Sequence, residues 1–181
     1  VWRVRSCCLL SRGICAFEVG ILWQTFPGMK AAVIRSIGAF LVAVLVAYLI
    51  GAALATQHVL GSLTTMGMNI DFGVWAHATL HDLIGMAGLY APLLAVAFLL
   101  AMPVILLVCR GRPGWRRIGY TTGFVAAGVG MHTLMPMVLN VTPVAATRMF
   151  GGLIQQGLAG AVGGYVFYRL GRASLAAAEP A

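Results

Sequence analysis

The sequence predicts an all-α integral membrane protein, in which four transmembrane helices form a compact bundle. Of its 181 residues 61% are hydrophobic and 9% are charged, whereas soluble domains carry about 25% charged residues. Four uncharged runs each contain at least 20 residues, which is about the length that spans the hydrocarbon core as a helix. Lipid offers no hydrogen bonds to an open backbone, so each span is expected to be helical.

The bounds of the domain and of its helices follow from the uncharged runs and from the residues at the ends of each run. We expect one domain over residues 29–172, between a basic segment at 1–28 and a short C-terminal tail at 173–181. Its transmembrane helices are predicted at about 33–56, 84–108, 117–138 and 147–169.

The twelve basic residues predict the topology. Eleven of them lie before the first span or in its first turn, from the end of the second span to the start of the third, or at and after the end of the fourth. Only Arg148 lies elsewhere. This is the positive-inside pattern. It predicts a multi-pass protein of the bacterial inner (cytoplasmic) membrane with cytoplasmic N- and C-termini. The net charge of +8 is therefore interpreted as topology and not as nucleic-acid binding, although the loop from Arg110 to Arg117 is suited to contact lipid head groups.

Residues 1–28 differ from the rest of the chain, and two interpretations stay open. The segment is either a basic, disordered leader or tail, or an over-extended gene start with Met29 as the true first residue; we favour the second. Its Cys7, Cys8 and Cys15, together with Cys109, lie at or inside the reducing face in this topology, so no structural disulfide is expected.

The longest outer segment, 57–83, is predicted to contain a turn and a short helix. "GMNID" (67–71) is typical of a turn, and Asp71 can cap a helix over about 72–83. One face of that helix would carry four apolar residues, whereas His77, His81 and Asp82 lie towards the other. We expect an amphipathic helix on the outer membrane surface, with the histidines in water. Asp82 is a candidate polar packing residue that can orient the ring of His81, and a solvated or capping charge is the other interpretation.

Small residues predict how the spans pack. The fourth span has Gly152, Gln156, Gly160 and Gly164 at four-residue spacing, and the third has Gly119 and Gly123. Small residues let helices approach closely in lipid, so these two stripes predict a tight pair. In the second span Pro92 and Pro103 are expected to bend the helix.

The stretch "GVGMHTLMPM" (128–137) raises the question of function, because it puts a histidine inside a span. Pro136 has no N–H to offer the carbonyl of His132, which weakens the helix ladder there. His132 lies about 21 Å into the third span, and Gln155 and Gln156 lie about 9–10 Å into the fourth from the opposite side. In a core about 30 Å thick these depths coincide. A hydrogen bond from His132 to one of the glutamines is the structural interpretation.

A ligand site is the alternative interpretation of the same region. His58, His77, His81 and His132 all fall in the predicted outer half, and Met131 and Met135 flank His132 on one helix face. Imidazole with thioether suits copper, and paired histidines suit haem or zinc. More ordinary roles compete with it, because methionines fill apolar helices and exposed histidines sit on interfacial ones.

The MxxxM motif of Met131 and Met135, with glycine-rich packing in the next span, resembles the eukaryotic copper-uptake transporter family. The resemblance covers one helix and part of another. The chain departs from the family in having four predicted spans instead of three, and in lacking a Met-rich outer tail and a terminal His/Cys cluster. No function is carried over from it.

The sequence is compatible with three functions. The preferred one is a non-enzymatic membrane bundle, acting as a subunit, assembly factor or scaffold, alone, as a homodimer or in a larger membrane complex. The second is a binding or transport protein with an outer-side His/Met pocket for copper, haem, quinone or a small apolar ligand. An intramembrane enzyme ranks last, because Asp71 and Asp82 are the only carboxylates away from the termini and no nucleophile motif is present.

Overall fold

The computed structural model describes residues 27–109, 113–139, 147 and 150–176, and these residues are entirely helical apart from turns. The described helices are α1 (Pro27–Thr65), α2 (Phe72–Gly85), α3 (Ala87–Cys109), α4 (Arg116–Leu139) and α5 (Phe150–Ala176). A short 3-10 turn, Pro113–Trp115, precedes α4. The predictions for residues 1–26, for Arg110, for the stretch 140–146 and for the end of the tail lie outside the described residues.

Two helices, Val33–Thr65 and Ala87–Cys109, are long and apolar enough to cross a membrane. Only 22% of the most apolar stretch of the second is buried. Leu99, Leu100, Val104, Leu107 and Val108 of that helix are all more than half exposed. The helix therefore presents most of its apolar surface to the surroundings and not to a core.

The first helix is longer than predicted. It continues without a break from the expected end near residue 56 to Thr65, so His58 lies inside a helix and not in a loop. The turn that follows the helix contains Gly67, whose φ of +87° favours glycine. The N–H groups of Gly67 and Met68 donate to the carbonyls of Thr64 and Leu63, which is the glycine-terminated Schellman end of a helix.

The short helix α2 begins where the sequence predicted. Asp71 is its N-cap and accepts a 3.3 Å hydrogen bond from the N–H of Gly73. Of the predicted polar face, His77 and His81 are exposed, whereas Asp82 accepts a hydrogen bond from Thr56 of α1. Of the predicted apolar face, Leu80 and Ile84 are 60% and 71% exposed.

The long helices pack in antiparallel pairs. Contacts run from His58 to Gly151 and from Ala47 to Gly163 between α1 and α5. On the other side of α5, Gly160 lies on Phe124 of α4. Helix α4 in turn stacks Phe124 on Phe98 of α3, with ring centroids 4.1 Å apart. Helix α5 is thus the central element, between α1 and α4, and α3 packs mainly on α4.

Glycines of α5 allow backbone contact on two sides. A Cβ at Gly160 would lie 2.6 Å from the carbonyl oxygen of Phe124, and one at Gly163 would lie 2.8 Å from the Cβ of Ala47. Gly164 contacts the backbone of Tyr120 in the same way. The small-residue stripe of α5 therefore packs on α4, and Gly152 of that stripe is buried.

The partner stripe is oriented differently from the prediction. A Cβ at Gly119 would meet the Sγ of Cys109, and one at Gly123 would meet the side chain of Ile105. Both neighbours belong to α3, so these two glycines accommodate α3 and not α5. Helix α4 contacts the glycines of α5 through its own backbone instead. The aromatic rings of Tyr120 and Phe124 project to the side, where they meet Phe98 of α3 and Phe167 of α5.

Candidate functional site

The candidate site is a group of polar side chains buried between three helices. Tyr90 of α3 and Gln156 of α5 are each 2% exposed, and the tyrosine hydroxyl donates a 2.6 Å hydrogen bond to Oε1 of the glutamine. The amide Nε2 of Gln156 donates to the carbonyl oxygen of Gly51 in α1 at 2.9 Å. One glutamine therefore joins α1, α3 and α5.

Gly51 is required for this arrangement. A Cβ at that position would lie 2.7 Å from both Oε1 of Gln156 and the hydroxyl of Tyr90. It belongs to a run of small residues in α1 at four-residue spacing, with Ala43, Ala47 and Ala55, all of which are 0–2% exposed. This run lets α5 approach α1 closely enough for the glutamine to reach the helix backbone.

His132 lies beside this group without joining it. Its side chain is 2% exposed, and its ring centroid lies 5.6 Å from that of Tyr90. Neither ring nitrogen has a hydrogen-bond partner within the described part of the chain. The hydrogen bond from His132 to Gln156 is therefore not formed, because Tyr90 occupies the position between them and takes Oε1 for its own hydroxyl.

The remaining histidines lie in other places. His77 and His81 are exposed on α2, with ring centroids 6.4 Å apart, as expected for residues at i and i+4. His58 packs against Gly151, its Cε1 being 3.3 Å from where a Cβ of that glycine would stand. The Nε2 of His58 is buried and has no partner among the described residues.

A shared metal centre is therefore not supported. Within residues 27–109, 113–139, 147 and 150–176, no three His, Cys, Asp or Glu side chains come together in a way that could hold an ion. His132 has the Tyr90 ring as its neighbour, and the pair His77 and His81 points away on the surface. The predicted meeting of the four histidines does not occur in the structure.

Met131 and Met135 line a groove instead. It has a volume of about 520 Å³, runs between α3 and α4, and is almost wholly apolar. Its walls come from both helices and include Leu93, Ala97 and Gly130. The two methionines thus contribute flexible apolar surface next to the buried histidine, although their neighbours in the groove are hydrocarbon and not imidazole.

Asp82, a candidate polar packing residue, is 36% exposed and contacts both α1 and its neighbour in α2. The hydroxyl of Thr56 lies 2.9 Å from its Oδ2, and Nδ1 of His81 lies 3.7 Å from its Oδ1. Nearby, Nε1 of Trp75 donates to Oε1 of Gln57 at 2.6 Å. These contacts attach α2 to the C-terminal part of α1.

Gln155, the second glutamine, makes no comparable contact. Its Oε1 is buried and has no hydrogen-bond partner among the described residues. Gln156 follows it directly in the helix and so faces a different side, about 100° away. The two adjacent amides are therefore not equivalent, and only Gln156 connects helices.

Sequence reasoning missed four residues of this region: Tyr48, Gly51, Thr56 and Tyr90. The Tyr48 hydroxyl donates to the carbonyl of Leu83, and the two tyrosine rings lie 5.7 Å apart. Tyrosines of membrane proteins concentrate at the membrane–water interface. A tyrosine well inside an apolar run is therefore the signal that predicts a buried hydroxyl with a hydrogen-bond partner.

Comparison with protein-family models, with curated proteins and with solved structures finds no match for this chain.

Proposed function

We propose that the chain is a multi-pass protein of the bacterial inner membrane, in which α1, α3, α4 and α5 each span the bilayer as a four-helix bundle. The charge pattern supports this topology, with the N- and C-termini on the cytoplasmic side. Helices of 23–39 residues exceed the roughly 20 that a span requires. Exposed apolar side chains on all four long helices would then face lipid.

Within that topology we propose a non-enzymatic role as a subunit, assembly factor or scaffold. The observation that carries this proposal is the use of Gln156. Its amide oxygen and amide nitrogen each make one hydrogen bond, and together they join α1, α3 and α5, which is a structural use of a buried polar group. Interhelical hydrogen bonds in membranes contribute about 0.6 kcal/mol on average and up to about 1.7, so several of them stabilise a specific packing and not a reaction.

The topology is tested by fusions and by extraction. Alkaline phosphatase fused after Gly67 or after Leu139 should be active and green fluorescent protein fused at either place should be dark, whereas the same reporters fused after Arg172 should behave in the opposite way. The intact chain should resist extraction from membranes by alkaline carbonate. A chain released by carbonate, an active phosphatase after Arg172 or an inactive one after Leu139 would contradict the proposed four spans.

The scaffold role is tested by what purifies with the protein. Cross-linking in intact cells followed by mild detergent extraction should give a complex of fixed stoichiometry, either with a second copy or with another membrane protein. Gln156→Leu should reduce the yield of that complex, and Gln155→Leu is the matched control. A chain that remains monomeric and uncross-linked would contradict the role.

A second candidate function is binding of a small apolar ligand, such as a quinone, in the α3–α4 groove. The observation in its favour is His132, because a buried imidazole without partners is costly and ionisable groups inside membranes are candidates for function. Leu93 and Met131 of the groove lie one turn or less along their helices from Tyr90 and His132. His132 itself does not line the groove, so a ligand would reach its imidazole only after side chains between them move.

The second candidate function is distinguished from the scaffold role by what the purified protein contains. Visible absorption, metal analysis and organic extraction of the purified protein should show a stoichiometric quinone, haem or metal if it is correct, and His132→Ala should lose it. A protein free of all three would favour the scaffold.

A further inference from the structure

The cytoplasmic ends of α4 and α5 carry an unneutralised pair of cations. The guanidinium of Arg117 lies 5.3 Å from the ring centre of Tyr165, and that of Arg169 lies 6.0 Å from the same ring. All three residues are exposed. Asp71 and Asp82 are the only carboxylates in the described part of the chain, and they lie at the opposite end, where α1 meets α2.

A groove begins at this pair. It has a volume of about 600 Å³ and lies between α4 and α5, with Arg117 and Tyr165 at its mouth and Ile118, Ala161 and Val162 further in. A second hollow of about 350 Å³ shares Ala161 and continues between the same helices. Its walls are wholly hydrocarbon and extend to Phe150. Together they are called the α4–α5 groove.

The α4–α5 groove is longer than the hydrocarbon of one bilayer leaflet. From Tyr165 to Phe150 the helix advances by about 22 Å, whereas one leaflet contributes about 15 Å of hydrocarbon, half of roughly 30 Å. Leu158 and Val162 on its wall are 57% and 40% exposed. The groove is thus apolar along a full chain length and basic at one end only.

We propose that the α4–α5 groove binds one anionic phospholipid of the cytoplasmic leaflet, with the phosphate on Arg117 and Arg169 and one acyl chain along Ala161 and Leu158. This inference rests on the proposed four-span topology, which puts the arginines at the cytoplasmic surface. Tyr165 holds both guanidinium groups by cation–π contact. Their N–H edges remain available for the paired hydrogen bonds that arginine makes with phosphate.

The charges favour this occupant over others. A second copy of the chain would bring a second pair of arginines to the same mouth and would be repelled. The hydroxyls of Thr121 and Thr122 already donate to the carbonyls of Arg117 and Ile118. The head group is therefore recognised through its charge. We expect the α4–α5 groove to prefer any anionic lipid over a zwitterionic lipid of the same chain length.

The test is native mass spectrometry of the full-length protein in detergent, titrated with dioleoyl phosphatidylglycerol or dioleoyl phosphatidylcholine. The wild type should bind the anionic lipid about 10- to 30-fold more tightly, as expected for two arginines near a lipid surface. Arg117→Gln with Arg169→Gln should remove the preference. Arg35→Gln, which removes an exposed charge elsewhere, is the matched control and should retain it.

A second variant tests the acyl chain. Ala161→Phe fills the groove while leaving both arginines, so it should weaken binding of the dioleoyl lipid and leave that of glycerol phosphate unchanged. Equal affinity for the two dioleoyl lipids, survival of the preference in the double arginine variant, or no effect of Ala161→Phe would each overturn the proposal. Circular dichroism of each variant is the check that it is folded. Resistance to carbonate together with equal affinities would reject the lipid site alone, whereas release by carbonate would reject the topology.

Discussion

The hydroxyl of Tyr90 donates a 2.6 Å hydrogen bond to Oε1 of Gln156, and both side chains are 2% exposed. The same glutamine donates to the carbonyl of Gly51. These two bonds connect α3 to α5 and α5 to α1 at one level of the protein. A change at either residue should therefore affect the packing of three helices at once.

Tyr90→Phe should lower the free energy of unfolding by about 1–2 kcal/mol, because it leaves a buried amide oxygen without its donor. The measurement is reversible unfolding by denaturing detergent, followed by circular dichroism. Tyr120→Phe is the matched control, since that hydroxyl has no hydrogen bond within the described part of the chain. The double variant with Gln156→Leu should cost less than the sum of the two single changes, and strict additivity would contradict the contact.

Gly160→Ala should destabilise the protein by about 1–3 kcal/mol, because a Cβ there would press on the carbonyl of Phe124 at 2.6 Å. The thermal unfolding midpoint in detergent should fall accordingly. Gly171→Ala makes the same change in the same helix, where nothing lies within 4 Å, and should alter stability by less than about 0.5 kcal/mol. Equal effects at the two positions would mean that α4 and α5 are not in backbone contact.

His132→Leu should leave stability unchanged or raise it by about 1 kcal/mol, because it replaces two buried nitrogens that lack partners by hydrocarbon of similar size. The measurement is the same unfolding titration. His132→Ala, which leaves a cavity, should instead cost about 2 kcal/mol or more. A loss of more than about 1 kcal/mol in His132→Leu would show that the imidazole has a bound water or ligand as its partner.

Thr56→Val should loosen α2 from α1, because it removes the hydroxyl 2.9 Å from Oδ2 of Asp82. Asp82 is 36% exposed, so we expect a modest cost of about 1 kcal/mol. Amide hydrogen exchange in Phe72–Gly85 should become faster, while exchange in α5 should not change. Thr133→Val is the control, since that hydroxyl donates only within its own helix; equally fast exchange of α2 in both variants would reject the tie.

Helix positions were predictable from the sequence because uncharged runs and caps are local signals. Asp71 and the turn at Gly67 could be assigned from neighbouring residues alone. The hydrogen bond from Thr56 to Asp82 could not, because the two residues are 26 positions apart and only the packing of α2 on α1 brings them together.

The candidate site shows the same limit. Depth arithmetic put His132 and Gln156 at a common level, and both do contact Tyr90. Spacing could not reveal that Tyr90 lies between them, because a helix position fixes height and leaves the rotation to packing. That rotation is determined by Gly51, whose missing side chain makes room for the tyrosine hydroxyl and the amide together.

The two kinds of helix contact divide the protein into a fixed part and an adaptable part. Helices α1, α5 and α4 meet through glycine, alanine and bare backbone, and such surfaces cannot be rearranged by changing rotamers. Helix α3 meets α4 through long and aromatic side chains, including Phe98 and Ile105, which have several staggered states. A ligand or neighbouring subunit that inserts against α3 would therefore be accommodated by changes of rotamer, and α2 would follow α3 through the single turn at Met86.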